Sequence, residues 1–329
     1  MNARLEVSDL RVRFDTDEGP VLATSGVSFS LAPGGVLALV GESGCGKSVT
    51  AMALLGLLPP TATATGSVRL EGQELIGLPQ RHLRRIRGRE MSMIFQEPMT
   101  SLNPAFTVGY QIAEVLRRHE GLDRTAARAR AVELLDLVRI PEPAKRVREF
   151  PHQLSGGMRQ RVMIAMAVAC NPKVLLADEP TTALDVTIQA QVLDIMRDLR
   201  EQLGTSIVLI THDLGVVADI AEDVVVMYAG HVVESGGVDP VFAAPQHPYT
   251  NGLLGSVPRP DLGLADGQDR LREIPGFVPV LREPPGACVF APRCPRADEP
   301  CREAMPALDE RAPGQYAACV HPGPAGVRA

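Results

Sequence analysis

The sequence has no tryptophan and only 4% aromatic residues, so aromatic packing is sparse. It also lacks a long apolar run: stretches such as Val162 to Cys170 fall well short of the roughly 18 to 20 residues needed to cross a bilayer. Met1 to Leu10 alternates charged and apolar residues and has no signal-peptide core. The expectation is a protein that stays in the cytoplasm and meets a membrane only through partners. Excess basic charge is missing too. With 33 Lys and Arg against 39 Asp and Glu, the net charge of −6 gives no broad electrostatic reason to bind nucleic acid. No internal repeat is visible. What is present is ordinary for a globular protein, 45% hydrophobic and 22% charged, and 329 residues suffice for one large α/β domain with a small appendage.

Alternation of apolar and polar residues from Leu5 to Phe14 and from Val27 to Leu31 predicts half-buried antiparallel strands near the N-terminus. Val36 to Val40 is continuously apolar and ends at Gly41, as a buried strand feeding a loop would. A helix is expected from about Lys47 to Leu58, stopped by Pro59 and Pro60. Helical spacing between Gln111 and Val138 predicts two amphipathic helices separated near Gly121 to Arg124. A further helix from Met158 to about Cys170 and buried strands at Val174 to Ala177 and Ser206 to Ile210 complete a strand–helix alternation, which implies a mostly parallel sheet. Beyond about Pro240 the texture becomes proline-rich and weakly periodic, as at Pro258 to Pro260 and Pro284 to Gly286. The division expected is residues 1–240, with a helical insert at about 97–160, followed by an extension over 241–329.

Gly41 to Ser48 reads Gly-Glu-Ser-Gly-Cys-Gly-Lys-Ser, a match to GxxxxGK[ST] between a buried strand and a helix. Its glycines let backbone N–H groups turn toward phosphate oxygens, and the helix N-terminus adds a favourable dipole. Lys47 would reach the β- and γ-phosphates and the Ser48 hydroxyl would ligate Mg²⁺. Val174 to Glu179 is an apolar strand delivering two carboxylates at its carboxyl end, the edge where α/β sheets bind ligands. Asp178 would hold Mg²⁺ and Glu179 would polarise the attacking water. An Asp-Glu pair after a strand is on its own more often a solvated strand end; the phosphate loop reverses those odds.

Leu154-Ser-Gly-Gly-Met-Arg-Gln-Arg161, upstream of the carboxylate strand, matches the signature motif of ABC ATPases. The chain resembles that family. The resemblance implies that Ser155, Gly156 and Gly157 contact the γ-phosphate of ATP bound to an opposing subunit. Gln96 resembles the Q-loop glutamine that contacts Mg²⁺ or water, Ala183-Leu184-Asp185 the D-loop, and His212 the switch histidine that contacts the γ-phosphate. Phe14 resembles the adenine-stacking aromatic. Nucleotide contacts are implied for Gly41, Ser43, Gly44, Cys45, Gly46, Lys47, Ser48 and Val49, and Mg²⁺ contacts for Ser48, Gln96 and Asp178. Cys45 replaces a serine more common there; since the loop binds phosphate mainly through backbone, ATP binding should survive.

Phe95-Gln-Glu-Pro-Met-Thr-Ser-Leu-Asn-Pro104, His247-Pro-Tyr-Thr250 and the cysteine-bearing tail narrow the resemblance to the ATPase subunits of oligopeptide/dipeptide importers. It implies a P-loop NTPase core with a mostly parallel sheet, antiparallel N-terminal strands, a helical insert and a small cysteine-containing extension. It further implies two transmembrane permease subunits, a second and usually non-identical ATPase subunit, an external solute-binding protein, and a peripheral place on the cytoplasmic face of the inner membrane. Importers of nickel, glutathione and other small solutes share the tail pattern, so peptide is the favoured cargo. A soluble ABC ATPase acting on DNA or ribosomes is the contrasting reading, but neither a tandem ATPase core nor a long coiled coil is visible.

Cys288, Cys294, Cys301 and Cys319 crowd the last fifth of the chain. Four thiolates suffice for one tetrahedral zinc or one [4Fe–4S] cluster, and free thiols are the third reading. The spacings match neither CxxC zinc knuckles nor ferredoxin runs. Some members of the importer subfamily carry an iron–sulfur cluster at cysteines like these, which makes [4Fe–4S] the expected occupant. His321 could add a nitrogen ligand, although an exposed tail histidine is the blander reading.

Overall fold

Val36–Val40 is buried at all five positions, as a strand covered on both faces must be. It belongs to a computed structural model that describes residues 3–96, 101–182, 185–257 and 273–323. In chain order the strands are β1 (Leu5–Thr16), β2 (Gly19–Leu31), β3 (Val36–Val40), β4 (Ala62–Leu70), β5 (Gln73–Glu74), β6 (Met91–Ile94), β7 (Val174–Asp178), β8 (Ser206–Thr211), β9 (Asp223–Tyr228), β10 (His231–Gly237), β11 (Asp309–Ala312) and β12 (Gln315–Ala317). The α-helices are α1 (Lys47–Leu54), α2 (Gln80–Ile86), α3 (Val108–His119), α4 (Arg124–Leu137), α5 (Pro143–Arg146), α6 (Gly156–Ala167), α7 (Val186–Leu203), α8 (Leu214–Ile220), α9 (Val238–Ala243), α10 (Pro248–Gly255) and α11 (Pro300–Glu303). These elements fall into two units, one of residues 3–5, 30–36 and 69–210, the other of residues 6–29, 37–68 and 211–323.

In the first unit β6 pairs with β7 and β7 with β8, all parallel. Parallel neighbours need crossovers, and the long segment between β6 and β7 supplies one through α3 to α6. The two amphipathic helices expected around Gly121 to Arg124 are α3 and α4, each started by a side-chain cap, Thr107 accepting from Tyr110 N–H and Asp123 from Thr125 and Ala126 N–H. Their apolar faces bury Ile112 and Leu116 against Leu134 and Leu135, among the least exposed side chains of the unit.

In the second unit β1 and β2 are joined by the two-residue turn Asp17–Glu18 into a hairpin, and β4 lies beside β1. The inward set Leu5, Val7 then shifts by one residue to Leu10, Val12 and Phe14, because Asp9 at φ 50° inserts an extra residue into the alternation. β3 pairs parallel with β9, and β9 antiparallel with β10, which carries β12 and β11 on its other side.

Helix α1 ends four residues earlier than Pro59 alone predicts. Gly56 at φ 59° takes the left-handed position after the cap; its N–H bonds the Ala53 carbonyl at 2.9 Å, and the Leu57 N–H bonds the Met52 carbonyl at 2.8 Å. That pair of bonds is a Schellman closure, which stops the helix before the prolines are reached. Helix α6 likewise starts at Gly156 and stops at Ala167, inside the span Met158 to Cys170 at its C-terminal end.

Candidate functional site

Gly41 leaves β3 at φ 150°, and a Cβ there would lie 2.2 Å from the Met227 carbonyl oxygen. At Gly46, φ 92°, a Cβ would meet the Ala23 carbonyl oxygen at 2.3 Å, so neither position admits a side chain. The loop between them folds under Lys47, which is 6% exposed and donates from Nζ to the carbonyls of Gly41 (2.7 Å) and Glu42 (2.9 Å). Ser43 and Gly44 are exposed, while Ser48 and Val49 are half-buried in the first turn of α1. No side chain caps that helix start, as an anion-binding N-terminus requires. The Cys45 side chain turns inward, fully buried, with Sγ 3.9 Å from the Tyr249 hydroxyl; burial pushes its thiol up and keeps it neutral. It is therefore absent from the loop's outer face, where the serine-to-cysteine difference could otherwise matter.

In the other unit, Asp178 is buried at the last position of β7. Glu179 follows at φ 46°, a left-handed backbone that costs a non-glycine residue about 1 kcal/mol or more. Three bonds hold it there. Its N–H donates to the Ile210 carbonyl (2.8 Å), and its Oε2 accepts from Gln96 Nε2 (2.9 Å) and Thr182 Oγ1 (2.8 Å). Gln96 reaches Glu179 from two residues beyond β6, so two of the predicted site residues are in direct contact.

Ser155 caps α6, its Oγ accepting from the Met158 N–H at 3.3 Å, and it is exposed together with Gly156. Gly157 is packed more closely: a Cβ there would lie 2.8 Å from Ile188 Cγ2. Asp185 caps α7 through Ile188 N–H at 2.9 Å, and the next residue, Val186, is 82% exposed. Ala183 and Leu184 of the expected D-loop, Glu97 to Thr100 after Gln96, and Pro258 to Pro260 lie outside the described residues. His212 is exposed just after β8, and Phe14 is half-buried on the face of β1 shared with Leu10 and Val12.

The four tail cysteines, separate in sequence, line one small enclosed cavity with His247, Phe290 and His321. Cys301 and Cys319 are buried and Cys288 and Cys294 half-buried. Backbone N–H groups of Arg296 and His321 donate to the sulfurs of Cys294 (3.4 Å) and Cys319 (3.3 Å), the kind of bond that stabilises a thiolate bound to metal. Burial raises the thiols of Cys294, Cys301 and Cys319, so with no metal they are protonated. Asp298, Cys301 and His321 place one ligand atom each within 4.8 Å of one another. His321 Nε2 is 2.6 Å from Asp298 Oδ2, so this histidine is engaged. Of the four cysteines only Cys301 belongs to that close group; as side chains around one cavity, the four are donors of the type that holds a thiolate-bound group.

Residues 24–182 match the family model of the ABC transporter, and residues 233–301 match the oligopeptide/dipeptide transporter C-terminal region. A probable peptide ABC transporter ATP-binding protein of Sinorhizobium fredii, y4tR, is 53% identical over 317 residues, covering 96% of this chain and 94% of its own length. The oligopeptide transport ATP-binding protein OppD of Bacillus subtilis is 55% identical over 291 residues, 88% of this chain and 80% of the relative. The chain belongs to the ATP-binding subunits of the oligopeptide/dipeptide ABC transporter family. Among solved structures, a bacterial ABC transporter cassette, MJ0796, determined as a dimer, superimposes with a TM-score of 0.64 at 28% identity, over 71% of this chain and 98% of the cassette.

In this ATP-binding subunit, two residues outside the nucleotide motifs organise the extension. Glu234, buried on β10, accepts from the N–H groups of Gln246 and His247 and from Gln315 Nε2, tying the start of α10 and strand β12 to one carboxylate. His247, singled out in sequence only by its neighbours, caps α10 by accepting from the Tyr249 N–H at 3.1 Å. Burial, and then the nearby Arg296 charge, push its imidazole down to about 3. The unfolded chain takes up this proton near pH 6.5, whereas the folded one refuses it until about pH 3. Stability should therefore fall as pH drops through that window, by up to about 1.4 kcal/mol per unit from this residue. Urea unfolding at pH 7.5 and 5.0 should show the loss, and His247→Asn, which keeps an acceptor for Tyr249, should reduce it; an unchanged pH slope in the variant would assign the acid loss elsewhere.

Proposed function

We propose that this subunit binds and hydrolyses MgATP to drive import of oligopeptides or dipeptides through separate membrane subunits. The observation that carries the reading is the pairing, in one chain, of a phosphate loop at Gly41 to Ser48, whose Gly41 and Gly46 admit no side chain, with an extension that matches the oligopeptide/dipeptide C-terminal region. On this reading Lys47 and the loop amides hold the phosphates, and Phe14 stacks on adenine. Ser48, Gln96 and Asp178 would hold Mg²⁺, which neutralises charge developing on the transferred phosphoryl group. Glu179 orients and deprotonates the attacking water, and His212 contacts the γ-phosphate. ATPase residues are assigned to 1–240 and the extension to 241–329.

A second ATPase subunit, homologous and non-identical, is proposed to cover Ser155, Gly156 and the region of Asp185. The 82% exposure of Val186 beside that cap supports it, because an isolated apolar side chain so placed gains by association. Two permease subunits are proposed to dock on the helical insert. There Arg117, Arg124, Arg128 and Arg148 line a groove of about 530 Å³ beside Tyr110, whose ring stacks on Phe106 at 4.8 Å and is 47% exposed. An external solute-binding protein completes the importer, which places this chain peripherally on the cytoplasmic membrane face. No helix among the described residues is long and apolar enough to cross a membrane.

Cys288, Cys294, Cys301 and Cys319 are proposed to hold a [4Fe–4S] cluster, which when bound ties four segments of the extension together. Anaerobically purified subunit should contain about four iron and four sulfide per chain, and Cys319→Ser should lose them; stoichiometric zinc without iron would replace the cluster with a structural zinc.

The deciding experiment is uptake of labelled short peptides into vesicles holding this chain with its permease and binding-protein partners. ATP-dependent peptide uptake is the expected result. A verified assembly that hydrolyses ATP but moves only nickel, glutathione or another solute would keep the motor and overturn the cargo.

A further inference from the structure

We propose that Tyr249 and Arg293, both in the C-terminal extension, are positioning residues for the phosphate-binding loop. The proposal rests on the reading of Gly41 to Ser48 as the ATP-binding loop. Its centre is Glu42, the second residue after β3. Every backbone polar group of Glu42 is engaged, the carbonyl by Lys47 Nζ at 2.9 Å and the N–H by the Tyr249 hydroxyl at 2.8 Å. Its Oε2 accepts from Arg293 at 3.0 Å, while Oε1 is buried without a hydrogen bond. Two of these supports come from residues more than 200 positions away.

The supports are themselves fixed. The Arg293 side chain is 5% exposed; its Nε and second terminal nitrogen donate to the carbonyls of Pro275 (2.8 Å) and Ile274 (2.9 Å), and the guanidinium lies 5.6 Å over the Tyr228 ring. An arginine held on three sides presents its remaining donors to Glu42 in one orientation, at little further entropic cost. Tyr249 is fully buried, its ring 4.8 Å from Tyr228 and 5.4 Å from Phe290. Phe290 and Arg293 lie between Cys288 and Cys294 in sequence, so the same short segment that brings two cysteines to the cavity also sets the floor of the loop. A surface ion pair would carry no such weight, but here removing Arg293 strands a carboxylate already short of one partner.

The test is equilibrium binding of MgATP to the full-length subunit, with KM and kcat measured in the assembled importer. Tyr249→Phe deletes one oxygen and leaves the ring packing, yet should weaken MgATP binding about 3- to 10-fold through the unanswered Glu42 N–H, raising KM with little change in kcat. Arg293→Ala should weaken it further, and Arg293→Lys should recover part of the loss. In the double variant Glu42→Gln with Arg293→Ala, the loss should be less than the product of the single losses. Native affinity in folded Tyr249→Phe and Arg293→Lys, or strictly multiplicative losses in the double variant, would overturn the proposal. If Arg293→Ala does not fold, Tyr249→Phe decides alone. Native MgATP affinity in Lys47→Ala would instead show that the loop itself had been misread.

Discussion

Glu179→Gln is expected to bind MgATP normally and to lose at least about 100-fold in turnover, the share a positioned general base contributes. The substitution is unusually clean in this backbone. Glu179 Oε2 accepts from Gln96 and Thr182, and an amide oxygen has the lone pairs to accept both bonds, each weaker without the charge. The N–H bond to the Ile210 carbonyl and the φ of 46° are untouched by an isosteric change. What disappears is the capacity to take a proton. Phosphate release under multiple turnover, together with size-exclusion chromatography in MgATP, would report it: slow release with nucleotide still bound, in a longer-lived pair of ATPase subunits. Robust multiple-turnover hydrolysis by the variant would remove Glu179 from the role of base.

Lys47→Ala should act at the earlier step and abolish productive binding. Nζ donates to the carbonyls of Gly41 and Glu42, which places the ammonium within the loop in a 6% exposed position. Charge-assisted hydrogen bonds contribute about 1.5–3 kcal/mol each, and loss of one or two to phosphate corresponds to roughly 100-fold in affinity. Calorimetric titration of the subunit with MgATP measures this directly, and peptide uptake by the assembled importer should vanish with it. Affinity within about threefold of native would mean that Gly41 to Ser48 is not the phosphate-binding loop.

The parts of this site that could be read from the sequence are those where local chemistry and local geometry coincide. Gly41 and Gly46 are glycines because carbonyl oxygens stand where a Cβ would go, and the buried run Val36–Val40 announces the strand that feeds them. Asp178 was visible because four buried apolar residues precede it. The end of α1 was misjudged because two stop signals compete, and the nearer one, Gly56, closes the helix before Pro59 can. Glu179's left-handed backbone leaves no trace in residue type, since glutamate is not a residue that favours it. Tyr249, Arg293 and Glu234 reach partners 81 or more positions away along the chain, and a single sequence carries no signal for such pairs. The cysteine cavity stands between these cases: the residue type is conspicuous, while the gathering of the four cysteines around one cavity needs the fold.

The separation along the chain between Glu42 and its distant supports also bears on how the protein is made. At about 5–20 residues per second, the ribosome needs on the order of 10 to 50 seconds to pass from the end of the phosphate loop to Arg293. Until Tyr249 is made the Glu42 amide and the inward face of Cys45 lack the hydroxyl that the extension later provides, and the Glu42 carboxylate lacks Arg293 for the whole interval. A nascent chain thus carries the complete loop sequence long before it carries a complete loop, and a chain broken off before the extension should be a substrate for chaperones and proteases rather than an unregulated consumer of ATP.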